Sequence, residues 1–253
     1  MNTPVSQPSP VKPGRSFFVA DLHLTDERPV ATGRFFRFLQ EDVAGADALY
    51  ILGDLFESWI GDDHDELVAH DTARHLKALV DAGTPVFFMH GNRDFMLASR
   101  YAAQSGMTLI ADPTRIDLYG TPTLLMHGDT LCTDDLAYQR FRHRVRRPWT
   151  LALLRGLPRA LRQILARGAR AGSQAAKSGK SAAIMDVNAD EVARVLREHQ
   201  VCRLIHGHTH RPARQLHAVD GQDCERWVVP DWYARWGYVV CDAQGCALVV
   251  EAL

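Results

Sequence analysis

Five short apolar runs in this chain end in polar turns, and the residues in those turns are ones that hold metal ions. Ser16–Ala20 runs into Asp21-Leu22-His23, Ala48–Leu52 into Gly53-Asp54-Leu55-Phe56-Glu57, and Pro85–His90 into Gly91-Asn92-Arg93-Asp94. Thr123–His127 ends in His127-Gly128-Asp129, and Cys202–His206 in Gly207-His208-Thr209-His210. Apolar runs of this length bounded by turn residues are predicted strands. Ligands of an open α/β sheet collect outside the carboxyl ends of its strands, so the five clusters are expected to converge on one site. At a strand terminus Asp21 and His23 can face the same way, and His208 with His210 repeats that geometry. Imidazole, carboxylate and amide donors without a thiolate suit a divalent ion such as Mn²⁺, Fe²⁺ or Zn²⁺. The flanking glycines allow tight turns and close approach to a phosphate. Each cluster alone has an ordinary explanation as a turn or helix cap. Five of them in order, each after a strand, do not.

The remaining pattern is that of an α/β chain with one insertion. Helical periodicity marks Pro29–Val43, Asp65–Asp81, Phe95–Gln104 and Ala189–His199. Shorter runs at Gln215–Val219, Glu225–Val229, Tyr238–Cys241 and Ala247–Glu251 predict a second, more antiparallel sheet. Between Leu136 and Lys180 there are twelve Lys or Arg and no Asp or Glu, in a chain whose net charge is only −1. Within that stretch Trp149–Leu165 mixes Leu and Ile with Arg at helical spacing, and Gly156 and Pro158 should divide it in two. We read 134–181 as a basic helical cap inserted into a core of 16–133 and 182–253, behind a Pro- and Ser-rich tail at 1–15. A composition of 46% apolar and 23% charged residues excludes a disordered or fibrous chain. No apolar run reaches the ~18 residues of a membrane span, and no export signal is visible, so a cytoplasmic setting is expected. The odd number of cysteines, without C-x-x-C spacing, predicts reduced, structural thiols at Cys132, Cys202, Cys224, Cys241 and Cys246.

The ordered clusters D-x-H, G-D, G-N-R-D, H-G-D and G-H-T-H resemble the calcineurin-like metallophosphoesterase superfamily over roughly Phe17 to Leu253. The resemblance implies an α/β fold, a four-layer αββα sandwich of two mixed sheets, and two divalent ions, which in the branch named below are usually manganese. It assigns Asp21, His23 and His210 to one ion and Asn92, His127 and His208 to the other, with Asp54 bridging. Asn92, Arg93, His127 and His208 take catalytic roles. Arg93 stands where many members have His. The blocks ADALYILGDLFESWIGDD, HGNRDFML, LMHGDTLCTDD, AIMDVN and LIHGHTHRPA are similar to the branch that cleaves UDP-2,3-diacylglucosamine to UMP and an acylated glucosamine 1-phosphate in Gram-negative lipid A synthesis. In that branch Asn92, Arg93, Asp135, Ser173, Lys177, Lys180 and His208 correspond to substrate contacts, with Lys177 where the pattern has Asn. Asp94 and Asp129 are expected to orient ligands, and Glu57 to be either a partner of a ligand or a helix-start residue.

The cap then has a purpose: its Leu-rich helices would take acyl chains, and its charge would meet a diphosphate and the anionic surface of the inner membrane. Arg142, Arg146, Arg159 and Arg162 are the residues expected to face that surface, making the protein a peripheral one on the cytoplasmic side, and a monomer. Two competing readings are a phosphoesterase acting on a soluble phosphodiester or phosphoprotein, and a nucleic-acid binder using the basic segment. The Leu content and the few aromatics of the cap favour lipid, and no nucleic-acid partner is expected.

Overall fold

The structure is a computed structural model that describes residues 14–63, 65–178 and 186–253, with backbone alone for 170–178. Its first sheet has six strands, with the last two of the chain, β10 (Arg235–Asp242) and β11 (Gly245–Ala252), at one side in the order β11-β10-β1-β2-β3-β4, and its second has five in the order β5-β6-β7-β9-β8. The parallel centre of the first sheet is β1 (Arg15–Val19), β2 (Ala48–Ile51), β3 (Val86–Met89) and β4 (Thr108–Ile110). The second holds β5 (Thr114–Leu118), β6 (Thr121–Met126), β7 (Arg203–His206), β8 (Ala213–Val219) and β9 (Gln222–Val228), parallel through β6-β7-β9 and antiparallel at both edges.

Side-chain alternation along β1 shows how the layers stack. Phe17 and Val19 point into a core shared with Phe35 and Phe38 of α1 (Pro29–Phe38) and with Ala73 and Leu76 of α2 (Leu67–Asp81). Phe18 and Ala20 point the other way, onto Leu125, Ile205 and Trp227 of the second sheet. That sheet in turn buries Leu124, Met126 and Leu204 against Val192, Val195 and Leu196 of α7 (Ala189–Glu198). The order is helices, sheet, sheet, helix, the αββα sandwich expected. Strands covered on both faces need apolar residues at successive positions, which is why the runs read as continuous and not alternating.

Two expectations are corrected. The last two strands, β10 (Arg235–Asp242) and β11 (Gly245–Ala252), do not join the second sheet; β10 pairs antiparallel with β1 in the first. The cause is Trp232, fully buried with its ring 5.8 Å from Phe35 and from Phe38 in the outer helical core, while its N–H bonds the Asp21 carbonyl at 3.0 Å. Docking that indole brings the chain back across the sandwich after β9. The cysteines are not all thiols either: Cys202 is bonded to Cys224 and Cys241 to Cys246, leaving Cys132. Cys241 and Cys246 face each other across the β10–β11 hairpin, a pairing set by strand register and not by sequence spacing.

The insertion is helical: α4 (Leu136–Val145), α5 (Pro148–Gly156) and α6 (Arg159–Ser178), with Gly156 and Pro158 at the break. No described helix is long and apolar enough to cross a membrane. α3 (Ser99–Ser105) completes the outer layer of the first sheet. Phe18 lies fully buried between the sheets, stacked at 5.0 Å on Tyr50. Phe18→Ala should therefore cost about 3–5 kcal/mol, read as a lowered urea midpoint at unchanged m-value.

Candidate metal centre

The five turns do converge. β1, β2, β3, β6 and β7 all deliver their carboxyl ends to one edge of the sandwich, and the turns bond one another directly. The Asp21 N–H donates to the Gly53 carbonyl at 3.1 Å, His23 N–H to Asp54 at 3.0 Å, and His208 N–H to the Asp21 carboxylate at 2.6 Å. Glycines permit this closeness. A Cβ on Gly53 would overlap the Gly91 backbone and the His127 ring, and one on Gly91 would collide with Asp54. Their room is taken up by neighbouring turns.

Asp21, His23, Asp54, His208 and His210 all have φ between 49° and 71°. The left-handed region costs a non-glycine residue roughly 1–2 kcal/mol and persists only where surroundings impose it. This conformation, and not simple strand alternation, brings Asp21 and His23 to the same point.

Two sets of side chains result. Asp21 Oδ1 lies 4.0 Å from His23 Nε2 and 3.4 Å from His210 Nε2. On the other side Asn92 Oδ1 is 3.1 Å from His127 Nε2 and 3.1 Å from His208 Nδ1. Asp54 stands between them, with Oδ2 3.7 Å from His23 Nε2 and Oδ1 4.0 Å from His127 Nε2. Asp21 Oδ1 and His23 Nε2 are buried and have no hydrogen-bond partner. Buried polar atoms are almost always satisfied, and two orphans turned toward one point fit residues that would share an ion. Carboxylate, imidazole and amide donors fit a divalent ion. Asp21, His23 and His210 form one group whose ligand atoms lie within 4.8 Å of each other, and Asp21, Asp54 and His127 form another.

Burial opposes ionisation of Asp21, but the His210 imidazole 3.4 Å away, with the charges of His127 and His23, outweighs it and holds the carboxyl well below its usual range. Asp94 goes the other way: burial and the neighbouring Asp54 charge raise it to about 7. Its oxygens accept from Leu55 N–H at 2.7 Å and Gly91 N–H at 2.8 Å, so it ties the turn carrying Asp54 to the turn carrying Asn92. Burial lowers His208 to about 4, aided by His127, which leaves its ring neutral and able to donate a lone pair.

Glu57 is a partner of a ligand: Oε2 is 3.1 Å from His23 Nδ1 and accepts from the Tyr233 hydroxyl at 3.1 Å, while Oε1 is 3.8 Å from Arg93. A carboxylate there orients the imidazole and keeps Nε2 free for an ion. Tyr233, whose ring stacks on His23 at 4.9 Å, carried no signal in the sequence beyond being an aromatic between two strands. Tyr138, one of the few aromatics of the cap, lies over His208 with ring centroids 6.1 Å apart, a placement that the sequence did not suggest.

Several expectations change here. Asp129 is buried and reaches the ligands through Tyr138: it accepts from the Tyr138 hydroxyl at 2.6 Å, from Arg142 Nε at 2.7 Å and from Arg146 at 3.4 Å. Arg142 and Arg146 therefore point inward, as does Arg162, and none of the three is free to face a membrane; Arg159 is half-buried. Asp135 caps α4 by accepting from Tyr138 N–H at 3.1 Å. Ser173 and Lys177 fall in the part of α6 described by backbone alone, and Lys180 lies outside the described residues.

A carboxylate and imidazole cradle at the strand ends of an αββα sandwich defines a metal-dependent phosphoesterase. The family profile for calcineurin-like phosphoesterases matches residues 14–212, and the chain belongs to that family. It is a metal-dependent hydrolase. Among its relatives, the UDP-2,3-diacylglucosamine hydrolase of Enterobacter sp. (strain 638) is 49% identical over 234 residues, covering 92% of this chain and 98% of its own. The enzymes of the same name from Klebsiella pneumoniae (strain ATCC 700721 / MGH 78578) and Salmonella arizonae are 50% and 51% identical, covering 88% and 94% of this chain and 93% and 99% of theirs.

A pH test isolates Asp94. The unfolded chain ionises it near 3.8, whereas the folded protein retains the proton to about 7. A raised acid pKa means that Asp94 draws stability down as pH rises through that window. In metal-free protein the Tm of wild type relative to Asp94→Asn should fall between pH 4 and pH 7, and a constant difference would refute the assignment.

Proposed function

We infer that this chain hydrolyses the pyrophosphate bond of UDP-2,3-diacylglucosamine, giving UMP and 2,3-diacylglucosamine 1-phosphate, a step of lipid A biosynthesis. The observation that carries the reading is identity at 49–51% of positions, along 88–94% of the chain, with enzymes named for that substrate. Asp21, His23 and His210 would hold one ion, Asn92, His127 and His208 the other, and Asp54 both; we propose manganese for each. Two such ions supply, when bound, Lewis acidity toward phosphoryl oxygens and a water acidic enough to attack at neutral pH.

The chain's own residues do the rest. Arg93 N–H fixes the Asp54 carboxylate at 2.8 Å, and Glu57 steadies the Arg93 guanidinium from 3.8 Å. A planar fork held there matches two non-bridging phosphate oxygens and stabilises the charge that builds on them. Asn92 and His208, on the same side of Asp54, would meet the phosphate, while Asp135, Ser173, Lys177 and Lys180 would contact the remainder of the substrate.

The cap supports a lipid-bearing substrate. Leu151 and Leu154 of α5 pack on the outer core, whereas Trp149 and Leu153 are 63% and 59% exposed. Ile164 and Leu165 of α6 are exposed as well. Around them Arg140, Arg144, Arg147, Arg155 and Arg167 point to solvent, and these five replace the inward-facing arginines as contacts for anionic headgroups. We propose a peripheral monomer on the cytoplasmic face of the inner membrane.

Mn²⁺-dependent release of UMP from the acylated UDP-sugar, run beside an aryl phosphodiester, tests the reading directly; preference for the soluble ester would favour a general phosphodiesterase. Arg93→Ala should lower kcat about a hundredfold with metal content near wild type, since only transition-state stabilisation of ~3 kcal/mol is removed. Trp149→Asp with Leu153→Asp should lower efficiency on the acylated substrate and binding to anionic vesicles, leaving the aryl ester unchanged; binding of RNA in place of vesicles would support the nucleic-acid alternative.

A further inference from the structure

Arg162 lies outside the metal centre and outside every substrate contact named above, yet among the cap arginines whose side chains are described it is the most enclosed, at 7% exposure. All three guanidinium nitrogens are used. Nε donates to the Leu157 carbonyl at 3.0 Å, across the break between α5 and α6. Nη1 donates to the Ile60 carbonyl at 2.5 Å, and Nη2 pairs with Asp63, whose carboxyl is held below its usual range by that hydrogen bond. Gly61, with φ of 139°, leaves the space; a Cβ there would land on Nη1. A guanidinium docked in this way is an anchor and not a solvated cation.

The loop it grips leads to the reacting centre. Asp62 accepts from Ala98 N–H and Tyr101 N–H at 2.9 Å each and from the Trp59 indole at 3.1 Å, which makes the loop rigid. Trp59 N–H donates to the Arg93 carbonyl at 3.0 Å. At its other end the cap is fastened close by, since Arg146 donates to the Gly91 carbonyl at 2.7 Å. One clasp thus ends on the turn that presents Asn92 and Arg93, and the other on the loop that Trp59 joins to that turn. Along the seam between cap and core a cleft of about 270 Å³ opens, lined by Glu57 and Ser58 of the core and Gln163 and Arg167 of α6.

We propose that Arg162 is a positioning residue that clasps α6 to the 60–63 loop, setting the width of the cleft that receives the acylated substrate and tying the cap to Arg93. The proposal rests on the reading that the cap takes the acyl chains. It differs from a merely structural role because Arg162 bonds only the α5–α6 break and the 60–63 loop, so the clasp acts on the cap and on no strand of the sandwich.

Hydrogen exchange and kinetics on Arg162→Ala, Arg162→Lys and Asp63→Ala in the full chain test it. Exchange of amides at 148–169 should rise at least about tenfold in Arg162→Ala while β1, β2 and β3 stay protected. KM for the acylated UDP-sugar should rise about tenfold, with kcat/KM for a small aryl phosphodiester within about twofold of wild type. Arg162→Lys keeps one of the three bonds and Asp63→Ala keeps two, so both should fall in between. Unchanged cap exchange would overturn the clasp, as would equal loss on both substrates. Failure of the wild type to hydrolyse the acylated UDP-sugar would remove the reading beneath the proposal, while the exchange comparison would still decide whether Arg162 holds the cap.

Discussion

Asp21 is fully buried at the end of β1, kept ionised by the imidazoles of His210, His127 and His23, and much of the molecule is arranged around that fact. A buried carboxylate costs several kcal/mol unless charge and hydrogen bonds answer it. Here the answer comes from the His208 N–H, which donates to its Oδ2, and from the imidazoles of His210, His127 and His23. Its backbone, meanwhile, is bonded to Gly53 in the turn after β2 and to Trp232 beyond β9. The same residue therefore aligns two strands of the first sheet, closes the turn after β7, and fixes where the chain returns to the first sheet. One oxygen is still left without a partner, and that unsatisfied atom is what makes the arrangement a binding site.

The strain around it has the same origin. Five ligand positions hold left-handed backbone, a cost that tertiary packing must offset at each. The offset comes from hydrogen bonds between turns and from glycines that let the turns touch. Asp94 contributes by bridging the β2 and β3 turns while its own carboxyl resists ionisation. A site assembled from five strand ends holds only if those ends are locked to one another, and the locks are mostly backbone bonds that no side-chain pattern reveals.

The cap follows a different logic. Its charge is split between arginines that solvate an outer face and arginines that plug into the core. Arg142 and Arg146 answer the buried Asp129, Arg142 also reaches Asp112 at 3.2 Å, and Arg162 answers Asp63. Basic composition alone reads as an electrostatic surface; half of the function of these arginines is instead to hold the insertion against the sandwich, close to Arg93.

The grouping of Asp21, His23 and His210 apart from Asn92, His127 and His208 came from the family resemblance, while residue type and local spacing were enough to place the strands that end in ligands and to divide the cap at Gly156 and Pro158. Those features are legible because strand-length apolar runs and turn residues act over a few positions. The sequence could not place Tyr233 on His23, turn Arg142, Arg146 and Arg162 inward, send β10 to β1, or pair Cys241 with Cys246. Each of these joins residues far apart in the chain or depends on strand register, and is settled by which buried group needs a partner once the layers have closed. The kind of chemistry was written in the order of the polar clusters; the geometry that lets it happen was decided by burial.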